Sequence, residues 1–204
     1  MTDDQPAMEQ ATPTSLSGEQ ALERLFEGNR RYLSSHMSHP HLSSRRRLEL
    51  EQDQHPFAAI LGCADSRMPP ELIFDQGLGD LFVVRVAGNV LDSAIIGSLE
   101  YAAEHLGTPL ILVLGHSRCG AITAVAQGHL SGHERSLERL LQPALARARQ
   151  EEGDLVDHAV KAHAGMGAEA LRHSHPILYK LVRDGRLLVQ AAYYDLDTGA
   201  VSLL

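Results

Sequence analysis

Phe57-Ala58-Ala59-Ile60-Leu61-Gly62-Cys63-Ala64-Asp65-Ser66-Arg67 decides how this chain folds. Six residues with no charge and no polar side chain end abruptly in a cysteine, a carboxylate and a guanidinium. An uninterrupted apolar run of this length reads as a strand buried on both faces. Two similar runs come later, Leu81-Phe82-Val83-Val84-Arg85-Val86 and Leu110-Ile111-Leu112-Val113-Leu114-Gly115. Helix-compatible segments lie between and after them, over 70–74, 93–106 and 121–127. Strands alternating with helices predict parallel βαβ units with right-handed crossovers. Further helices are expected over 135–150 and 154–173, a fourth strand over 187–194, and a short last strand over 200–204 after the turn residues Asp195-Leu196-Asp197-Thr198-Gly199. The fold class is α/β.

Upstream, Ser17 and Gln20 read as a capping box. Ala21, Leu22, Leu25, Phe26 and Tyr32 form an apolar stripe at helical spacing to about Leu33, an amphipathic arm with few obvious partners in its own subunit. Residues 34–54 read mostly as loop, with a helical turn or two near 45–50. Residues 1–16 are polar, carry Pro6 and Pro13 and show no periodicity, so a disordered tail is expected there and a single domain over 17–204.

The 204 residues are 44% apolar and 22% charged, as in an ordinary globular domain. Eighteen basic against 26 acidic side chains give a net charge of −8, which repels phosphate backbones and anionic headgroups; nucleic acid and membrane are not expected partners. No apolar run reaches the ~20 residues of a membrane span, and no basic-then-apolar leader opens the chain, so a cytoplasmic protein is expected. Two cysteines exclude a disulfide framework and direct attention to metal binding or catalysis.

In open α/β sheets ligands bind beyond the carboxyl ends of the strands, and both cysteines sit there. Cys63 comes directly after the first strand. His116-Ser117-Arg118-Cys119-Gly120 comes after the third. Two thiolates and an imidazole match the Cys₂His set of a catalytic Zn²⁺ site with an open fourth position. Cys119 is further favoured as a thiolate by its expected place at a helix N-terminus. In an extended chain Cys63, Asp65 and Arg67 would share one side. Asp65 could then accept a hydrogen bond from water at the open position or occupy that position itself, in a closed state. Arg67 is suited to hold it back. A lone buried cysteine is ordinarily a small core hydrophobe, but both motifs at strand ends, using every cysteine in the chain, outweigh packing as the explanation.

The other eleven histidines carry less. His36, His39 and His41 read as solvated loop residues, His129 and His133 as part of a turn, and His158, His163, His173 and His175 as helix-surface residues. Gly77-Leu78-Gly79-Asp80 precedes a strand instead of opening a helix, so it is no dinucleotide fingerprint.

C-A-D-S-R at 63–67, F-V-V-R-V-A-G-N at 82–89 and G-H-S-R-C-G-A at 115–121, in this order, resemble the β-class carbonic anhydrases; the resemblance runs from about Ser17 through Ala191-Ala192-Tyr193-Tyr194-Asp195-Leu196 to the end. It implies a four-stranded parallel core with an added antiparallel edge strand, flanking helices, and a homodimer or higher even oligomer embraced by the N-terminal arms. It implies zinc on Cys63, His116 and Cys119 near the dimer interface, Asp65 and Arg67 as catalytic dyad, and CO₂/bicarbonate as substrate. Closing members of the family hold an inhibitory bicarbonate on a Trp, an Arg and a Tyr, at positions matching Ile60, Arg85 and Tyr101 here; the Trp is missing. Gln54 lies nine residues before Cys63, where open-type relatives carry a glutamine that hydrogen-bonds bicarbonate, and the open type is favoured. Ile60, Phe82 or Val86, from either subunit, would form an apolar wall for CO₂. Other readings are hydrolysis of carbonyl sulfide or carbon disulfide at the same site, or a non-catalytic zinc module.

Overall fold

The computed structural model describes residues 16–204; the tail expected over 1–16 lies outside the described residues except for Leu16, which packs half-buried against the core. The chain forms α1 (Gly18–Leu33), α2 (Ser44–Glu49), β1 (Ala58–Gly62), α3 (Pro70–Ile73), β2 (Leu81–Arg85), α4 (Ser93–Glu104), β3 (Leu110–His116), α5 (Gly120–Gln127), α6 (Arg135–Ala148), α7 (Leu155–Arg172), α8 (Ile177–Arg183), β4 (Leu188–Tyr194) and β5 (Val201–Leu203). The five strands make one sheet in the order β2-β1-β3-β4-β5, parallel except for β5. Among the described residues no helix is long and apolar enough to cross a membrane.

Side chains alternate across the sheet and sort the core into two layers. Ala58, Ile60, Leu110, Leu112, Leu114 and Ala192 join Ala21 and Leu25 of α1, Ile122 and Val125 of α5, and Leu141 and Leu145 of α6. Ala59, Leu61, Ile111, Val113, Val189 and Ala191 join Leu99 of α4, Ala164, Ala168 and Leu171 of α7, and Leu178 and Leu181 of α8. β1 and β3 are buried along their whole length, as continuous apolar runs require. Helix α7 lies so close to the end of β3 that a Cβ on Gly115 would stand 2.8 Å from the Val160 side chain.

The arm departs from expectation. The capping box is present, Ser17 Oγ accepting from Gln20 N and Gln20 Oε1 from Ser17 N. Yet part of its apolar face is covered by its own subunit: Ala21 and Leu25 are fully buried, while Leu22, Phe26 and Tyr32 are half-buried. Buried Asn29 donates to the carbonyls of Ile73 (3.1 Å) and Gly199 (3.0 Å) and accepts from Val201 N (3.0 Å), stitching the arm to α3 and β5. Asp75, its side chain fully buried, receives Arg31 Nε (2.6 Å), both donors of Ser38 and the His39 N–H. Burial alone would raise this carboxyl, but these donors hold it at about 2, so it stays ionised far into the acid range. The stripe at 21–32 is helical, as its spacing predicts; the partners of Asn29 lie 44 to 172 residues away and have no local signature.

Helix α8 is an element beyond those expected. It is two turns long, begins after Pro176, and its apolar residues Ile177, Leu178, Leu181 and Val182 recur at helical spacing.

Candidate metal centre

β1 and β3 are neighbours in register, Gly62 opposite Leu114, so the residues beyond each strand emerge at the same edge. Cys63 is the first residue beyond β1, His116 is the last residue of β3, and Cys119 is the N-cap residue of α5. Their ligand atoms lie within 4.8 Å of one another, and all three residues are buried.

Each ligand is held in a defined state. His116 Nδ1 faces the Ser117 carbonyl at 2.9 Å. A carbonyl only accepts, so Nδ1 carries the proton and Nε2 turns its lone pair inward. That Nε2 is buried and has no hydrogen-bond partner among the described residues. Cys63 Sγ accepts the Gly88 N–H at 3.2 Å. The neighbouring Cys119 side chain does most to lower the Cys63 pKa, with His116 and the Gly88 N–H assisting against burial. The Cys63 side chain beside it, together with burial, pushes Cys119 up. An orphaned imidazole lone pair beside two cysteine sulfurs is a donor set suited to a borderline-soft divalent cation, and zinc fits it.

Asp65 Oδ2 stands 4.0 Å from His116 Nε2, and its carboxylate is gripped by Arg67 through Nε to Oδ1 (2.9 Å) and Nη2 to Oδ2 (2.8 Å). The Arg67 hydrogen bonds are the main cause of a carboxyl pKa well below the usual range. The pair forms as expected but by a different route. Arg67 N donates to Asp65 Oδ1 (3.0 Å) and Met68 N to the Asp65 carbonyl (3.2 Å), so the chain turns instead of staying extended, and Arg67 folds back onto its neighbour.

Three details have no counterpart in the sequence pattern. Arg67 Nη2 also donates to the Arg118 carbonyl at 3.2 Å. Arg118, in the left-handed region at φ 52°, is clamped by Asp197 through contacts of 2.7 and 2.8 Å. Ser117 Oγ accepts from Leu196 N at 2.8 Å. The Asp195–Gly199 turn thus moors the segment carrying His116 and Cys119. Its turn chemistry is legible in the sequence; its attachment to the site is not.

His163 corrects the helix-surface reading. It is 8% exposed, its ring lies against the backbone of Gly88 and Asn89, and burial lowers its pKa. Its companions in that reading differ: His173 and His175 are exposed and His158 is half-buried. His36, His39, His41, His129 and His133 are exposed, as expected.

The remaining candidates are dispersed. Ile60 is fully enclosed in the core. Phe82 and Val86 are half-buried. Tyr101 is exposed, its ring 5.3 Å from His105 and 6.3 Å from Phe82. Exposed Gln54 lines, with Tyr101 and Asp53, a cleft of about 480 Å³ that none of the three ligand residues borders. Arg85 reaches the site from β2, donating to the carbonyls of Cys63 and Asp65.

The family model described as carbonic anhydrase matches residues 58–201, which hold all three ligands and the Asp65–Arg67 pair. Carbonic anhydrase 2 of Mycobacterium tuberculosis is 39% identical over 188 residues, 90% of this chain and 91% of that protein. The carbonic anhydrase of Mycolicibacterium smegmatis is 37% identical over the same shares. Among solved structures, the Coccomyxa β-carbonic anhydrase in complex with acetazolamide superposes with a TM-score of 0.71 at 27% identity, covering 90% of this chain and 86% of that one. A tetrameric β-carbonic anhydrase of Sordaria macrospora shares the fold, with a TM-score of 0.72 at 24% identity over 84% of this chain and 89% of that one. The family match, the sequence identities and the shared fold agree: the chain belongs to the β-class carbonic anhydrases.

Proposed function

We propose that this protein catalyses CO₂ + H₂O ⇌ HCO₃⁻ + H⁺ with one zinc ion per chain, held by Cys63, His116 and Cys119. The observation that carries the reading is the convergence of a buried His116 Nε2, unpartnered among the described residues, with the sulfurs of Cys63 and Cys119, all within 4.8 Å of one another, and the Asp65 carboxylate 4.0 Å from that nitrogen. When bound, zinc supplies the Lewis acidity that makes water a nucleophile at neutral pH, chemistry for which carbonic anhydrase is itself the standard example.

The chain's own residues do the rest. Asp65 Oδ2 accepts a hydrogen bond from the attacking water and so aims its remaining lone pair at the carbon of CO₂. Arg67 occupies both carboxylate oxygens, which holds Asp65 off the metal. Half-buried Phe82 and Val86 supply apolar surface for a substrate without a dipole. Arg67 so firmly engaged, and Ile60 where closing members carry a Trp, favour the open type; Gln54, in a cleft apart from the three ligand residues, lends this no support. Two reduced thiols suit a reducing compartment such as the cytoplasm.

The working unit in this reading is a homodimer or an even multiple of it. Among the described residues β2 is an unpaired sheet edge, and nearby Leu42, Leu48, Leu72 and Leu78 are 45–65% exposed, a strip that a second copy would cover. Sedimentation is expected to give a species of at least twice 22.2 kDa; a fully active monomer would contradict this.

Parallel assays of CO₂ hydration and carbonyl sulfide hydrolysis on zinc-loaded protein test the substrate. CO₂ is expected to be preferred. Preference for carbonyl sulfide would move the activity to the CO₂ analogues, and inactivity toward both would leave a zinc-binding module.

A further inference from the structure

The pairing of β1 with β2 ends just before the chain reaches Asp65. Gly62 lies opposite Arg85; beyond it, Val86 N donates to the Gly62 carbonyl and Ala64 N to the Val86 carbonyl, each at 3.2 Å. The two strands then part. β2 enters a turn in which Gly88 and Asn89 adopt φ of 68° and 41°, while the other chain bends over the site through Ser66 and Arg67. Backbone carbonyls at such a divergence lose their ladder partners.

The Arg85 side chain takes the place of the missing strand. Its Nε donates to the Cys63 carbonyl at 2.8 Å and its Nη2 to the Asp65 carbonyl. Among the described residues no carboxylate lies within ion-pair distance of it. Its guanidinium is thus committed to two carbonyls two residues apart, one belonging to a ligand residue and the other to the residue that faces His116 Nε2. A rigid planar fork spans that pair; a single ammonium cannot.

We propose that Arg85 is a positioning residue, which fixes the Cys63–Asp65 segment so that Sγ of Cys63 and the carboxylate of Asp65 keep their separation. The proposal rests on the reading of Cys63, His116 and Cys119 as a metal centre with Asp65 beside it. It differs from the role implied for Arg85 by family resemblance, contact with bicarbonate, and the two make opposite kinetic predictions.

The test compares Arg85→Ala and Arg85→Lys with the unaltered chain, each loaded with zinc for kinetics and with cobalt for spectroscopy. Arg85→Ala is expected to lower kcat for CO₂ hydration about 10- to 100-fold, the usual range for losing an outer-shell support, while KM moves little. It should also shift the visible absorption of the cobalt form and speed metal loss to a chelator. Arg85→Lys, which reaches one carbonyl at a time, should fall between, and millimolar ethylguanidinium should restore part of the rate to Arg85→Ala. A KM increase with kcat and the cobalt spectrum unchanged would overturn the proposal in favour of substrate contact. Unchanged kinetics and spectrum in both variants would overturn it outright. If Arg85→Ala does not fold, the Arg85→Lys spectrum and kcat decide alone. An unaltered chain that takes up neither metal would overturn the metal-centre reading instead, and the proposal with it.

Discussion

Replacing Cys63 or Cys119 by alanine is expected to strip the protein of stoichiometric zinc and of activity together. Binding free energies of sulfur-rich zinc sites are of order 10–16 kcal/mol, so losing one ligand of three weakens binding on the order of 10³-fold. Loss should not reflect unfolding, because each cysteine gives up only one sulfur to the core and neither forms a disulfide. Metal analysis after dialysis, beside a thermal melt of the metal-free proteins, checks both points. Retention of one zinc per chain in both variants would remove these residues from the site.

Substitution at the Asp65–Arg67 pair separates two functions that share one hydrogen-bonded unit. Asp65→Asn should keep zinc and lose about 10²- to 10⁴-fold in kcat, because an amide nitrogen cannot accept the hydrogen bond that the carboxylate takes. Arg67→Ala should fail for another reason. The guanidinium is what holds the Asp65 carboxylate in place, and without it the carboxylate is free to move the short distance to the metal and displace water. The two variants should therefore differ in their cobalt spectra: Asp65→Asn close to wild type, Arg67→Ala shifted. Full CO₂ hydration by Asp65→Asn would refute the proposed role of this residue.

How much of this was legible in the sequence depends on the range of the interactions concerned. β1 and β3 are legible because burial on both faces leaves an unbroken apolar run, and the ligand set because Cys63, His116 and Cys119 each sit within one residue of an element end. The turn at Asp65–Met68 reads as extended chain because nothing in the order of Cys63, Asp65 and Arg67 distinguishes alternation along a strand from an aspartate closing a turn on its own backbone. His163 escapes for a different reason: its neighbours on α7 form an Ala-rich pattern that leaves the buried face broad, and the backbone it meets belongs to Gly88 and Asn89, 74 or more residues earlier. Arg85 ends an apolar strand and looks like a solvent-facing charge until the divergence of β1 and β2 gives it two carbonyls to bind.

The central claim is that one zinc per chain at Cys63, His116 and Cys119 confers CO₂ hydration, and titrating metal-free protein with zinc while monitoring hydration by stopped flow tests it most directly. The rate should rise linearly to one equivalent of zinc per chain and then stay flat. A protein that hydrates CO₂ equally well without zinc, or that binds one equivalent and remains inactive, would contradict it.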